Sequence, residues 1–361
     1  MTSVLFGLFD WCDHRPGVPL HQLYDERIQM AALAEEVGFT YYQVAEHHST
    51  PLGAAPSPNL LLAAMARETT SLRLGPLCWL LPLYEPLRLY EELCMLDQLS
   101  HGRLEIGIGR GVSRHEVGFF NRDPGTTRAL FDESLEVLLS ALQGEDRVLS
   151  SPGPNYRYDD VPLVLSPYQK PYPPLWYPTT SKESAVWAGR HNLHLMGLGP
   201  ARAYRPVVDA YRAAREAPPD GARRLNPHVT EPIVGMNRQI IVADTDEEAY
   251  AVLSEAFPVW KDNFSKLAVD RRDDSDASRE ELRHYSQRTD LQGMLDNGAL
   301  IVGSPETVRA GISAMLEDAQ LNYVACTLAW GGITGEQARR SLLLFGTEVA
   351  PAFTGARQAT A

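Results

Sequence analysis

The stretch YYQVAEHHST, Tyr41 to Thr50, sets Glu46, His47 and His48 in succession behind a short aromatic and aliphatic run, in a chain with 10 histidines among 361 residues. Imidazole is the side chain best suited to moving protons near neutral pH. On a strand, neighbouring side chains point to opposite faces, so the two histidines cannot share one task. The alternation groups Tyr41, Gln43, Ala45 and His47 on one face and leaves His48 on the other. For the same reason at most two of Glu46, His47 and His48 could share a metal ion. No His-x-His follows the first strand, there is no His-Glu-x-x-His, and His191 and His194 have no partnering carboxylate. A metal centre is disfavoured.

A second set of residues suits an anion. Arg110 lies between Gly109 and Gly111, which let the backbone approach a ligand closely. Arg128 follows Thr126-Thr127 at the start of a helical pattern. Thr179, Thr180, Ser181 and Ser184 stand where an apolar run gives way to another helix, and a helix N-terminus attracts negative charge. Each has a plainer explanation when taken alone: the arginines pair with Asp123, Asp132 or Glu133, and the hydroxyls cap a helix. Gathered at one end of a fold, two guanidiniums and several hydroxyls point to a phosphate-bearing cofactor.

The elements that must gather them alternate short apolar runs with longer amphipathic ones. Eight runs read as strands: Val4–Phe9, Tyr41–Ala45, Leu72–Leu81, Arg103–Gly109, Pro174–Thr179, Leu193–Leu198, Met236–Ala243 and Asn322–Ala329. Between the first two, LYDERIQMAALAEEVGF puts Leu23, Ile28, Ala31, Ala32, Ala34 and Val37 roughly on one stripe with Gly38 as its stop; later, Ser57-Pro58 opens another helix. Eight strands, each followed by a helix, predict an α/β chain folded as a parallel (β/α)8 TIM barrel, with its site at the C-terminal ends of the strands. A doubly wound open sheet accounts for the count less well. Two regions break the repeat. Ser150–Pro174, rich in Pro and Tyr, predicts an extended or hairpin insertion before the fifth strand. Lys261–Asn297, dense in charge, predicts a mobile lid before the last strand. The whole chain, 1–361, reads as one domain.

The formal charge of −13, with no compensating block of Lys and Arg, argues against a nucleic-acid partner and for a small molecule. Cys12, Cys78, Cys94 and Cys326 are scattered, the pattern of reduced thiols in a cytoplasm. The opening MTSVLFGLFDWCDH has no basic leader, which predicts no signal peptide, and no apolar run approaches the ~20 residues of a membrane span.

AEHH, the run LRLGPLCWLLPLYEPLRLYEELCMLDQLSHGRLEIGIGRG, TTRALFDE and the tail from Ile301 onward resemble the bacterial luciferase-like flavin-dependent monooxygenases over most of the chain. The resemblance implies a barrel that binds reduced FMN (FMNH2) delivered by a separate flavin reductase. Oxygen would add to the flavin as a hydroperoxide, which oxidises a small organic substrate. It implies His47 as the acid–base residue beside the flavin and a non-prolyl cis peptide at Leu77–Cys78 against the ring. Gly109 and Arg110 would lie by the cofactor, and its phosphate would be held by Arg110, Arg128, Thr179, Thr180 and Ser184. A homodimer in the cytoplasm is also implied. Gly109 stands where the luciferase α chain has a reactive cysteine, which argues against light emission, and Thr179-Thr180 where that chain has Glu-Ser. Trp11, Trp79, Trp187 and Trp330 are candidates for the apolar walls that keep water from the flavin. Two other functions share the barrel: hydride transfer with a deazaflavin, and a non-catalytic flavin-binding subunit.

Overall fold

Strands that run parallel cannot be joined by tight turns; each needs a crossover long enough for a helix. The computed structural model, which describes residues 3–111, 113–144, 146–218, 221, 223–267 and 289–354, is built from such crossovers. The chain begins β1 (Leu5–Asp10), α1 (Leu20–Glu36), β2 (Tyr41–Val44), α2 (Pro58–Glu68), β3 (Arg73–Pro76), β4 (Trp79–Leu80), α3 (Pro86–Leu99) and β5 (Ile106–Gly109). There follow α4 (Arg114–Phe119), α5 (Thr127–Gln143), β6 (Val148–Pro152), β7 (Arg157–Pro162), β8 (Leu175–Pro178), α6 (Lys182–Arg190), β9 (His194–Gly197) and α7 (Ala201–Glu216). The remainder is β10 (Val234–Val242), α8 (Asp246–Ser265), α9 (Leu291–Asp296), β11 (Leu300–Gly303), α10 (Pro305–Ala319), β12 (Tyr323–Thr327) and α11 (Gly335–Leu344).

The main sheet runs β3-β2-β1-β12-β10-β9-β8-β5-β4 with every pair parallel. It closes on itself because β3 and β4 share one position in the ring. β4 pairs with β5, and Leu74 bridges Leu104 below it. The result is the (β/α)8 TIM barrel that the alternation predicts.

Two strands differ from the sequence reading. The run Leu72–Leu81 is broken between β3 and β4, where the Leu77–Cys78 peptide is cis, at the position the resemblance implies. The run from Leu300 to Gly303 is an additional strand. It pairs with the upper half of β10, Gln239 to Val242, which overlaps the ring part of β10 only at Gln239. The sequence count missed it because eight runs already closed a barrel. Within Ser150–Pro174 lies most of an antiparallel hairpin, β6 with β7. Gln169 ties the end of that insertion to α3 through hydrogen bonds from its backbone N and side-chain Nε2 to the buried Asp97, both 2.8 Å. Of the predicted lid, Lys261–Ser265 forms the last turns of α8 and Leu291–Asp296 forms α9; residues 268–288 lie outside the described residues.

Two apolar layers hold the ring. Phe9, Tyr41, Ala45, Leu77, Met196 and Ala325 fill its interior, and a larger shell of Leu, Val, Ile and Ala packs between strands and helices. Burial of each Leu, Val, Ile, Phe or Met among them contributes about 1.5–3 kcal/mol. Arg103 is buried and donates to the carbonyls of Ala66, Thr69, Leu72 and Ser100 at 2.7–3.0 Å, so it closes the C-terminal end of α2. Among the described residues no helix is long and apolar enough to cross a membrane.

Candidate active site

The C-terminal ends of parallel strands open on one mouth, and the chain just beyond those ends lines a cavity of about 370 Å³ there. His47 stands three residues past the end of β2. Its backbone position continues the face of Tyr41 and Ala45, both in the barrel interior, so the ring reaches the cavity and is only 7% exposed. Trp11, next after β1, stacks on it with centroids 5.6 Å apart and planes 21° from parallel.

The ring is oriented from behind. Glu116, on the first turn of α4 and 2% exposed, lies 3.1 and 3.3 Å from His47 Nδ1 through its two carboxylate oxygens. The same carboxylate accepts from the backbone N of His48 at 2.6 Å. Ser113 caps α4 by accepting from Glu116 N, which fixes the turn that presents the acid. An ionised carboxylate only accepts, so it selects the tautomer with the proton on Nδ1. Nε2 then carries the lone pair, and it makes no hydrogen bond among the described residues.

His48 serves differently. Its Nε2 lies 2.9 Å from Glu46 Oε1, and its ring meets Phe120 edge-on. Glu46 is 2% exposed and also accepts from Tyr84 Oη at 2.9 Å and Leu80 N at 3.3 Å. Burial raises its pKa, against the pull of His48 and Tyr84. At the end of β1, Asp10 is occupied by Arg27 at 2.9 Å, by Tyr42 Oη at 2.6 Å and by Cys12 N at 2.7 Å. These are structural carboxylates.

Of the residues expected to hold a cofactor, Leu77, Cys78, Gly109, Arg110, Thr179, Thr180 and Ser184 all line the cavity with His47. Gly109 is required there: a Cβ on it would lie 2.1 Å from Cys78 Sγ. Burial pushes the Cys78 thiol well up, helped by Glu46, so it is an uncharged wall. Arg110 forms no hydrogen bond or ion pair among the described residues, and it faces the start of α6, where Ser181 caps the helix by accepting from Ser184 N at 3.2 Å. Arg128 is not in the lining. It sits in the first turn of α5, about half exposed, and helical spacing brings Asp132 within 2.8 Å of its Nε. Of the four tryptophans only Trp11 lines the cavity; Trp79 and Trp330 are wholly in the core, and Trp187 packs on Tyr177 and His191. Glu116 was not singled out from the sequence, because its partner His47 is distant along the chain. The one local signal is the Ser113-x-x-Glu116 capping pattern.

A flavin mononucleotide joins a flat, largely apolar ring system to a polar chain and a phosphate. The cavity has the same polarity. Phe9, Ala45, Leu77, Leu80 and Met196 supply apolar lining, and a guanidinium unpaired among the described residues, four hydroxyl residues and a helix N-terminus supply the polar part. These residues fit that group.

The family model described as luciferase-like monooxygenase matches residues 4–322. The uncharacterized protein y4wF of Sinorhizobium fredii (strain NBRC 101917 / NGR234) is 36% identical over 336 residues, 92% of either chain. The 4-hydroxyprotoasukamycin monooxygenase of Streptomyces nodosus subsp. asukaensis is 25% identical over 98% of this chain and 94% of its own. Among solved structures, the oxygenating constituent of 3,6-diketocamphane monooxygenase from Pseudomonas putida, a type II Baeyer–Villiger monooxygenase in complex with FMN, shares the fold. Its TM-score is 0.74 at 22% identity, over 97% of this chain and 98% of that one. A closed parallel barrel with a histidine at its mouth, matched by the family model nearly end to end, has one reading: this chain belongs to the luciferase-like monooxygenase family.

Proposed function

We propose that the chain is the oxygenase component of a two-component monooxygenase that uses reduced FMN and O2 on a small organic substrate, with a separate flavin reductase as its supplier. The observation that carries this reading is the meeting, in one amphipathic cavity, of a carboxylate-oriented imidazole and a guanidinium unpaired among the described residues. When bound, reduced FMN supplies the electrons that activate O2. Arg110, with Thr179, Thr180 and Ser184 at the start of α6, holds the phosphate; Arg128 could join them only by leaving Asp132, an exposed pair that opposes this weakly. Leu77, Cys78 and Met196 bound the ring. His47 takes or gives a proton at Nε2, while Glu116 holds the ring and its Nδ1 proton. Trp11 and Phe9 keep water from that nitrogen. The protein works in the cytoplasm as a homodimer.

Anaerobic titration with FMNH2 and with a reduced deazaflavin, followed by mixing with O2 and an aldehyde and ketone panel, tests the reading. Saturable FMNH2 binding and oxygenated product are expected. His47→Ala should keep the flavin and lower turnover by about 100- to 10,000-fold. Tight deazaflavin binding with none for FMNH2 would replace oxygenation by hydride transfer, and unaltered turnover in His47→Ala would remove its role.

A further inference from the structure

A second cavity, about 460 Å³, opens from the first and shares Trp11, His47, Thr180, Leu198 and Asn237 with it. Its far walls come from β10, the end of α8 and the segment around α9, with Phe264 and Met294 among its apolar surfaces. The polar side is unusual in kind. Buried N–H donors without an acceptor are rare in folded proteins, yet Trp11 Nε1, Arg238 Nε, Gln239 Nε2 and Trp260 Nε1 all belong to residues of this one lining.

Arg238 is the strongest of them. It is 1% exposed, its Nη1 donates to the carbonyl of Asn237 at 2.8 Å, its Nη2 approaches Met236 Sδ at 3.8 Å, and no carboxylate pairs with it among the described residues. The other buried arginines all meet acceptors: Arg15 has Glu26, Arg27 has Asp10, and Arg103 has its set of carbonyls. Burial draws the pKa of Arg238 down to about 10, which still leaves it charged near neutral pH. On β10, Asn237 and Gln239 face the mouth and Arg238 stands on the opposite face, just behind them. Through a low-dielectric wall its charge acts across several ångströms. Asp290 is the one carboxylate residue lining the cavity among the described residues; it is exposed, and it accepts from Gly293 N at 2.8 Å as the cap of α9. Among the described residues this wall carries one buried guanidinium and several N–H donors that lack an acceptor.

We propose that this second cavity binds the organic substrate, and that the substrate is an apolar acid held as its carboxylate against the Arg238–Gln239 wall. The proposal rests on the oxygenase reading above for the word substrate, but its binding chemistry can be tested alone. A carboxylate accepts from the Gln239 amide, which an apolar ligand would leave orphaned, and it lies in the field of a cation that no carboxylate among the described residues pairs with. The apolar surfaces and His47 then place the rest of the molecule beside the flavin cavity.

The test is calorimetric titration of the full chain, with and without FMN, using 3-phenylpropanoate and its uncharged amide, 3-phenylpropanamide. The acid should bind at least about tenfold more tightly than the amide, and added salt should narrow the gap. Arg238→Met should erase the preference, with FMN binding unaltered as the sign of an intact barrel. If that variant does not fold, Gln239→Leu should weaken the acid and spare the amide. Equal binding of acid and amide, a preference that survives Arg238→Met, or no binding of either overturns the proposal. FMN titration separates the two readings: acid selectivity without FMN binding sinks the oxygenase and leaves this site standing, and FMN binding without acid selectivity does the reverse.

Discussion

At the scale of single residues, Glu116 divides one carboxylate between a side chain and the backbone, His47 Nδ1 and His48 N. Glu116→Gln keeps an acceptor for both but removes the negative charge beside His47. The expected outcome is a fall in kcat of about ten- to hundredfold with flavin affinity unchanged, and a shift of the pH–rate profile, measured in steady state. A structural role alone would leave that profile where it is. Gly109 makes a second case. Since a Cβ there would lie 2.1 Å from Cys78 Sγ, Gly109→Ala should cost about 1–3 kcal/mol of stability, and adding Cys78→Ala should recover most of it. Thermal unfolding of the four proteins in the cycle measures this; additive effects would mean that the two atoms do not meet. The sequence made His47 legible because strand alternation is strictly local. Glu116 was hidden because only closure of the barrel brings it to His47.

At the scale of elements, Asp13 joins three of them. It follows β1, its Oδ2 accepts from Gly331 N beyond β12 at 2.6 Å, and Asn263 of α8 lies 3.4 Å from the same oxygen. Its carboxyl is pushed up to about 6, by burial first, with the Arg27 guanidinium pulling the other way. Between the ordinary value of 3.8 and about 6 the native state holds more proton than the unfolded chain. Stability from this group is therefore present at low pH, falls as pH rises through that window, and stays low above it. Asp13→Asn removes the buried charge and keeps an acceptor for Gly331. It should be more stable than the parent by on the order of 2–3 kcal/mol at pH 7.5, with the gap nearly gone at pH 4. Urea unfolding at both pH values checks this, and parallel curves would refute it. The elements were mostly legible. Apolar runs gave the ring strands, and Gly38, at a φ of +87°, ends the first helical repeat as its position suggests. Two things escaped the pattern of apolar runs: the break in the third run, a backbone event whose cis peptide only the resemblance implied, and β11, whose apolar run LIVG lay just past an expected lid.

For the molecule as a whole, the ring explains why residues as scattered as Trp11, His47, Arg110 and Thr180 share one cavity, and why composition pointed to a small-molecule partner without naming it. The substrate was illegible because its walls come from β10, α8 and α9, whose residues have no motif in common. The closure has a further prediction. β1 pairs on one side with β2 and on the other with β12, Leu5 opposite Tyr323 and Leu8 opposite Cys326. A chain stopped at Asn322 should lose flavin binding and pass from the soluble fraction to aggregates, as read by light scattering; a soluble, flavin-binding product would show that the ring closes without its final stave. During synthesis the first strand emerges with one edge unsatisfied and waits, sticky to any other extended chain, until nearly the whole polypeptide has left the ribosome. The ring strand made first is among the last to be safe, so yield in the cell should respond to chaperone supply and translation speed as well as to the stability of the finished protein.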